Sequence, residues 1–515
     1  MLPPFANEPL TDFSDPASSA AYREALAQVR RQLGRHGHLI ADGKQVDTGK
    51  RIVSINPARP KEIVGTAAAA APDHADLALE AAWKAFPAWA GRGVADRAAL
   101  LVKLAAEMRR RKLILAAWET LEGSKNWVEA DADVAEAIDF CEYYARQALE
   151  FAKPLPVHPF PGEINQSWLQ PLGAGVVLAP WNFPLAILVG MVIGPVAAGN
   201  TVVVKPSSYT PLVGSVFMEI AASVGFPPGV INFLPGMGNE VGDYLVDHPR
   251  TRFINFTGSR EVGVRIMARA AQIHPGQQWL KRVYTELGGK DAVVIDETAD
   301  LDAAIPEVIK SAFGFQGQKC SAASRLIVAA EVYEEVLERL AAAVKDIQVG
   351  PAEENFPVGA MISEAQHKMI LTEIERGKGE GRLIVGGQPI DRDGGYYIAP
   401  TVFADVIPSA RLAQQEIFGP VLAVIRAADF DEAVSIFNGT EYGLTGGLFS
   451  RSRDRLDRAK REFNVGNLYL NRKITGALVG VQPFGGFKMS GSNAKAGGPD
   501  YLRLFLEMKT VSERL

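Results

Sequence analysis

The chain has 515 residues, 47% hydrophobic and 22% charged, with 54 Lys+Arg against 59 Asp+Glu. At about 150 residues per domain, this length allows roughly two to four domains, and so apolar a chain is not intrinsically disordered. A formal net charge of -5 argues against the basic stripe of a nucleic-acid-binding protein. The only cysteines, Cys141 and Cys320, exclude a disulfide framework, and no close Cys spacing supports a metal site. A reducing cytoplasm is therefore the expected compartment.

The opening residues MLPPFANEPL lack the basic and apolar regions of a signal peptide. To about Glu150 the chain is rich in alanine and in helical spacing, with helices predicted over His74 to Ala88 and Val94 to Leu121. Lys153 to Gln170 carries Pro154, Pro156, Pro159 and Pro161, which suits an excursion or hairpin better than a helix. No charge occurs between Glu163 and Lys205, a stretch long enough to span a bilayer. Pro180, Pro184 and Pro195 break it into pieces that fit a buried α/β core instead.

From Gly173 short apolar strands alternate with helices. GVVLAP, NTVVVKP, VINFLPG and FINFTGS read as strands; Leu185 to Ala198, Pro211 to Val224, Glu240 to His248 and Arg260 to Ala270 read as helices. This is the pattern of a doubly wound parallel sheet that binds ligands at the carboxyl ends of its strands. After Glu286 it restarts with DAVVIDE, a helix from about Leu301 to Phe313, and strands in SRLIVAA, GPVLAVI and GNLYLN. The closing LFLEMKTVSE alternates like a strand with no local partner, and so pairs with a distant element or another subunit.

Familiar catalytic patterns are missing. No HExxH or GxSxG occurs, and Gly258 to Gly263 is followed by Val264 and Arg265 rather than the P-loop Lys and Ser/Thr. Gly236, Gly238 and Gly242 miss the dinucleotide fingerprint by one residue. Cys141 lies in a helical run and reads as a buried apolar thiol. Cys320, in FGFQGQKCSAASR, has a polar and flexible surround that leaves a reactive and a buried thiol equally open. Glu286 ends a strand before a Gly-Gly turn, where its plainest reading is a surface carboxylate.

APWNFP at Ala179 to Pro184, VVVKPS ending at Ser207, FTGSREVG at Phe256 to Gly263, ELGGK at Glu286 to Lys290, GQKC ending at Cys320 and EIFGPV at Glu416 to Val421 follow in one fixed order. Together they resemble the NAD(P)-dependent aldehyde dehydrogenase superfamily from about Leu39 to the C-terminus. GQKCSAASR, NRKITGALVGVQPFGGFKMSG and YLRLFLEMK are similar to the branch that oxidises L-glutamate γ-semialdehyde to glutamate in proline degradation.

The resemblance implies an α/β fold of two doubly wound parallel-sheet domains with a small oligomerisation extension. Residues 1–153 and 173–287 would bind NAD, 288–487 would form the catalytic domain, and 154–172 with 488–515 would bridge subunits. It implies Cys320 as nucleophile, Glu286 as general base, and the Asn182 amide with the Cys320 N–H as oxyanion donors. For the cofactor it points to Trp181, Lys205, Ser207, Ser208, Gly258, Ser259, Gly263, Leu287, Glu416 and Phe418. For the substrate it points to Ser321, Gly476 and Ala477 at the carboxylate, Phe183 and Phe484 along the chain, and Glu136 at the ammonium. Many NAD-preferring relatives have glutamate where this chain has Ser208, so NAD is expected and no fixed charge excludes NADP. The resemblance further implies a homo-oligomer, a dimer or an assembly of dimers, coupled functionally to a proline dehydrogenase that is not fused to it. No metal, nucleic acid or membrane insertion is expected. Readings kept beside this one are a dehydrogenase of another semialdehyde, a thioesterase, and a non-catalytic member of the fold.

Overall fold

The computed structural model describes residues 2–515. Its core is two seven-stranded sheets, each covered by helices. In the first, the strands run Arg282–Glu286, Phe253–Thr257, Ala174–Leu178, Thr201–Lys205, Ile231–Phe233, and then an antiparallel edge of Leu39–Ala41 and Lys44–Val46. The first five are parallel. Every residue of Ala174–Leu178 and Thr201–Lys205 is buried, as expected of strands covered on both faces. The strand order reverses between Ala174–Leu178 and Phe253–Thr257, so a crevice opens where Ala179 to Leu185 and Gly258 to Arg260 leave the sheet.

The second sheet runs Arg382–Val385, Thr401–Ala404, Val421–Ala427, Ala323–Ala329, Asp291–Ile295, Thr445–Phe449 and Asn467–Leu470. All its pairs are parallel except the first, which is antiparallel. Both sheets match the α/β architecture expected from the strand–helix alternation.

Local differences have local causes. The helix expected over Val94 to Leu121 is two, Val94–Arg110 and Lys112–Gly123. The break at Arg111 lets Lys112 reach Asp131 at 2.9 Å and the Pro9 carbonyl at 2.8 Å. The long uncharged stretch contains a helix, Ala186–Ala197, buried at every residue but Ile187, and no helix among the described residues is long and apolar enough to cross a membrane. The closing strand Leu506–Arg514 does have a partner, Glu163–Pro171, paired antiparallel from Leu506↔Pro171 to Arg514↔Glu163. The resulting ribbon has only these two strands, and the outer part of Leu506–Arg514 is exposed.

Candidate active site

Cys320 lies at the end of a strained loop. After the helix Leu301–Phe313, Phe315, Gln316 and Gly317 take φ of 50°, 57° and 68°, in the left-handed region. For the two non-glycine residues this costs about 1–2 kcal/mol each, and tertiary bonds hold them there. Gln316 donates its amide to the carbonyls of Ser124 and Ala360, both at 3.1 Å. A Cβ on Gly317 would collide with the Gly419 carbonyl, so this position accepts only glycine. Lys319, next to the cysteine, pairs with Glu129 at 2.6 Å.

Asn182 is buried, and its amide donates to the Gln318 carbonyl at 3.1 Å, two residues before Cys320. It does not cap the helix Ala186–Ala197, the plainest alternative role. Asp133, from the helix Trp127–Phe151, takes that task by accepting from Ala186 N–H at 2.6 Å. The other oxygen of Asp133 pairs with Lys125 at 2.6 Å, and the Lys125 ammonium stands 3.9 Å from the Phe183 ring and 4.7 Å from the Phe315 ring. One buried cation thus bears on both the Asn182 loop and the Cys320 loop.

Glu286 ends its strand half-buried rather than as a surface carboxylate. Its oxygens accept from Gly486 N–H at 3.2 Å and Ala494 N–H at 3.0 Å. Burial nevertheless dominates, and pushes its pKa up to about 8. Cys320 is half-buried, and its thiol is raised by burial first, then by the negative fields of Asp291, Glu416 and Glu286. The resting sulfur is therefore a thiol, held neutral by burial and by the carboxylates around it. Cys141, by contrast, is fully buried in its helix, as read from the sequence.

Geometrically, the site spans the two sheets. Glu286 is at the carboxyl end of a strand of the first, whereas Cys320 and Glu416 precede Ala323–Ala329 and Val421–Ala427 of the second. The Gly-Gly turn after Glu286 makes this approach possible. A Cβ on Gly288 would collide with the Glu416 carboxylate, and one on Gly289 would lie 2.5 Å from the Cys320 carbonyl. Glu416 accepts from Gly289 N–H at 2.9 Å, and burial raises its pKa to about 7.

The crevice of the first sheet carries Trp181, Lys205, Ser207, Ser208, Gly258, Ser259 and Gly263, while Glu416 and Phe418 come from the loop before Val421–Ala427 of the second. Lys205 is buried, donates to the carbonyls of Pro206 at 3.0 Å and Gly236 at 3.1 Å, and is lowered to about 8 by burial. Ser259 caps the eleven-residue helix Arg260–Ala270 by accepting from Val262 N–H at 3.4 Å. That helix packs so close that a Cβ on Gly263 would collide with Leu287, and Gly258 lies against the Phe256 ring. Trp181 and Phe418 meet edge to face at 5.5 Å. Ser207 accepts from Tyr209 N–H at 3.2 Å, and Ser208 is half-buried beside it. An ammonium, a helix N-terminus, a carboxylate and an aromatic pair along one crevice suit a dinucleotide.

The substrate candidates are less tightly joined. Ser321 is buried, and its carbonyl accepts from Thr445 Oγ1 at 3.2 Å. Phe183 and Phe484 are half-buried, the latter bonded through its N–H to the Ala496 carbonyl at 2.9 Å. Gly476, with φ of 75°, and Ala477 form a turn that makes no hydrogen bond to the Cys320 loop among the described residues. Glu136 is raised to about 8 by burial and then by Asp133.

Sequence reasoning missed the support of this site: Lys125, Asp133, Glu129, Lys319, Lys290 and Asp291. Lys290 and Asp291 are buried, each with a side-chain atom lacking a hydrogen-bond partner. The available signal was a charged pair at the mouth of the apolar strand DAVVI, and acids on the buried face of WVEADADVAEAIDF.

Comparison with known proteins agrees with this architecture. Residues 44–511 match the model of the aldehyde dehydrogenase family. The chain is 53% identical over 514 residues, all of both chains, to 1-pyrroline-5-carboxylate dehydrogenase of Geobacillus kaustophilus. It superposes with a TM-score of 0.99 on the crystal structure of 1-pyrroline-5-carboxylate dehydrogenase from Thermus with bound NAD, at 59% identity and 100% of both chains. It also matches proline utilization A of Bdellovibrio bacteriovorus at 48% identity and a TM-score of 0.97, covering 99% of this chain and 53% of that one.

Proposed function

The chain belongs to the aldehyde dehydrogenase family, and we propose that it oxidises L-glutamate γ-semialdehyde, the open form of 1-pyrroline-5-carboxylate, to L-glutamate with NAD in proline degradation. The observation that carries the reading is the meeting of three groups: the Cys320 thiol, the Glu286 carboxylate, and the Asn182 amide bonded two residues before the thiol.

In this reading Cys320 gives up its proton to solvent water before it attacks, and Glu286 is left free for the later hydrolysis. Cys320 Sγ adds to the aldehyde carbon, and the carbonyl oxygen gains the negative charge. Asn182 Nδ2 and the Cys320 N–H stabilise that oxyanion; one such donor is typically worth about 10²–10³ in rate. NAD supplies, when bound, the acceptor for the hydride that leaves the substrate carbon. Lys205, Ser207 and Ser208 would face the adenosine ribose, Gly258, Ser259 and the helix packed by Gly263 on Leu287 the pyrophosphate, and Glu416, Trp181 and Phe418 the nicotinamide end. The remaining thioester on Cys320 is hydrolysed by water, whose proton goes to Glu286. The C–S bond breaks, releasing the new carboxylate.

Ser321 and the N–H groups of Gly476 and Ala477 would hold the substrate α-carboxylate, Phe183 and Phe484 its aliphatic chain, and Glu136 its ammonium. Residues 1–153 and 173–287 are assigned to cofactor binding, 288–487 to catalysis, and 154–172 with 488–515 to subunit bridging. An isolated two-stranded ribbon is marginal in water, which supports a homo-oligomer in which a partner subunit covers it. Two unpaired cysteines support a reducing cytoplasm. The match to proline utilization A supports coupling to a proline dehydrogenase.

The test is NADH absorbance with L-glutamate γ-semialdehyde, succinate semialdehyde and a simple aliphatic aldehyde. The reading predicts the highest kcat/KM for the first. Equal rates with succinate semialdehyde would overturn the substrate assignment, and absence of NADH with all three would overturn the activity.

A further inference from the structure

Lys495 occupies an unusual position beside Glu286. It is half-buried, and its ammonium donates to the Gly466 carbonyl at 2.6 Å, the Asn467 side-chain carbonyl at 3.1 Å and the Gly485 carbonyl at 3.1 Å. An ammonium has three N–H groups, so this set of acceptors matches its charged form. Two of these acceptors neighbour the loop that holds Glu286. Gly485 precedes Gly486, whose N–H donates to Glu286, and Asn467 further accepts from Gly485 N–H at 3.3 Å and donates to the Pro483 carbonyl at 3.0 Å.

The backbone around Lys495 is also shaped toward the carboxylate. Asn493 and Lys495 both take left-handed φ, 53° and 51°, on either side of Ala494, whose N–H is the second donor to Glu286. Ordinary residues adopt this conformation at a cost of about 1–2 kcal/mol, so contacts made elsewhere must hold the turn. The Lys495 side chain makes three of them. A Cβ on Gly485 would lie 2.8 Å from Lys495 N and 2.9 Å from Glu286 Oε1, which shows how tightly the three segments close.

We propose that Lys495 is a positioning residue for thioester hydrolysis, holding both backbone donors on Glu286 and favouring the anionic form of that carboxylate through its charge. It touches neither Glu286 nor the reacting atoms, and acts through the 483–486 loop and through space. The groups that face Glu286 are Lys495, the Cys320 thiol and the Tyr501 hydroxyl. Burial raises the carboxylate, the Gly486 and Ala494 N–H groups lower it, and Lys495 is the charged group that adds to them. The inference rests on Glu286 as the base proposed above. It extends that role by naming the side chain that tunes it.

The test compares the wild-type protein with Lys495→Met and Lys495→Arg, using NAD and L-glutamate γ-semialdehyde across pH 6 to 10. Rapid mixing reads the first turnover, and steady-state kcat reads hydrolysis. Removing the positive charge raises the Glu286 pKa. The methionine variant should therefore keep its NADH burst, lose about 3–10-fold in kcat near pH 7, and recover most of it at high pH. The arginine variant should keep the wild-type midpoint even if its kcat is lower. A uniform loss at all pH values in the methionine variant, or no loss, overturns the proposal, as does an arginine midpoint displaced as far as that of methionine. If a melting curve shows the methionine variant unfolded, Lys495→Gln keeps donors for the carbonyls and carries the same expectation for the midpoint. A wild-type protein that forms no NADH would instead overturn the function itself, so the two failures are distinct.

Discussion

The two seven-stranded sheets share an architecture but meet the chemistry from opposite ends. The first offers the carboxyl ends of its strands: Lys205, Thr257 before Gly258, and Glu286 all finish one. The second offers its amino ends, with Asp291 opening a strand and Cys320 and Glu416 on the loops that lead into strands. The first side presents an ammonium and a helix N-terminus, which favour a polyanion. The second gathers Asp291, Glu416 and a thiol in a buried place, where burial first, and neighbouring carboxylates after it, raise the acids and keep the sulfur protonated. In the proposed function the first side carries most of the cofactor contacts and the second the nucleophile, while Asn182 and Glu286 of the first and Glu416 and Phe418 of the second cross between them.

Variants can break this division. The largest effect is expected for Cys320→Ala, which should lower aldehyde-dependent NADH formation by more than about 10³-fold. Isothermal titration should find NAD affinity within about twofold of wild type, because the change is distant from the adenosine crevice. Loss of NAD binding in parallel would show that the two sides are not separable. Glu286→Gln should allow one rapid turnover and then slow by about 10²–10⁴-fold, because a neutral amide cannot deprotonate water. A stopped-flow burst with accumulated acyl-enzyme is the signature. In the wild type, hydrolysis should weaken as pH falls below about 8, since a base with a raised pKa is lost on the acid side first.

Gly288→Ala sharpens the comparison by acting at the seam. Its Cβ would collide with the Glu416 carboxylate and displace it. The KM for NAD should rise about tenfold, as expected for loss of a charged hydrogen bond, with a smaller change in KM for the aldehyde. The smallest effect is expected for Ser208→Glu, which places a negative charge on the binding side alone. NAD should gain over NADP by a few-fold in kcat/KM, and the gain should shrink at high salt as screening increases. An unchanged ratio would remove Ser208 from the ribose contact.

Much of this was legible in the sequence where one element carried the whole signal. Apolar runs such as TVVVK, each followed by a helix of matched length, encode buried parallel strands, because such strands are covered on both faces and need no polar side chain. Helices such as Pro211–Val224 and Leu301–Phe313 begin and end where their caps and punctuating glycines stand. The proposed roles of Cys320, Glu286 and Asn182, however, came from an ordered set of motifs, since residue type alone left a buried thiol, a surface carboxylate and a helix cap as fair readings.

The tertiary structure decided what depends on groups far apart in the chain. It is Asp133, not Asn182, that caps the helix after the APWNFP motif, because the helix Trp127–Phe151 brings a carboxylate to that N-terminus. The closing strand found its partner at Glu163–Pro171, a pairing that no local pattern specifies. The raised acids around Cys320 owe their state chiefly to burial, which is not encoded at any single position. Local propensity and periodicity determined the strands and helices. Which charge was desolvated, and beside which other, was settled only when two sheets closed over the same few residues.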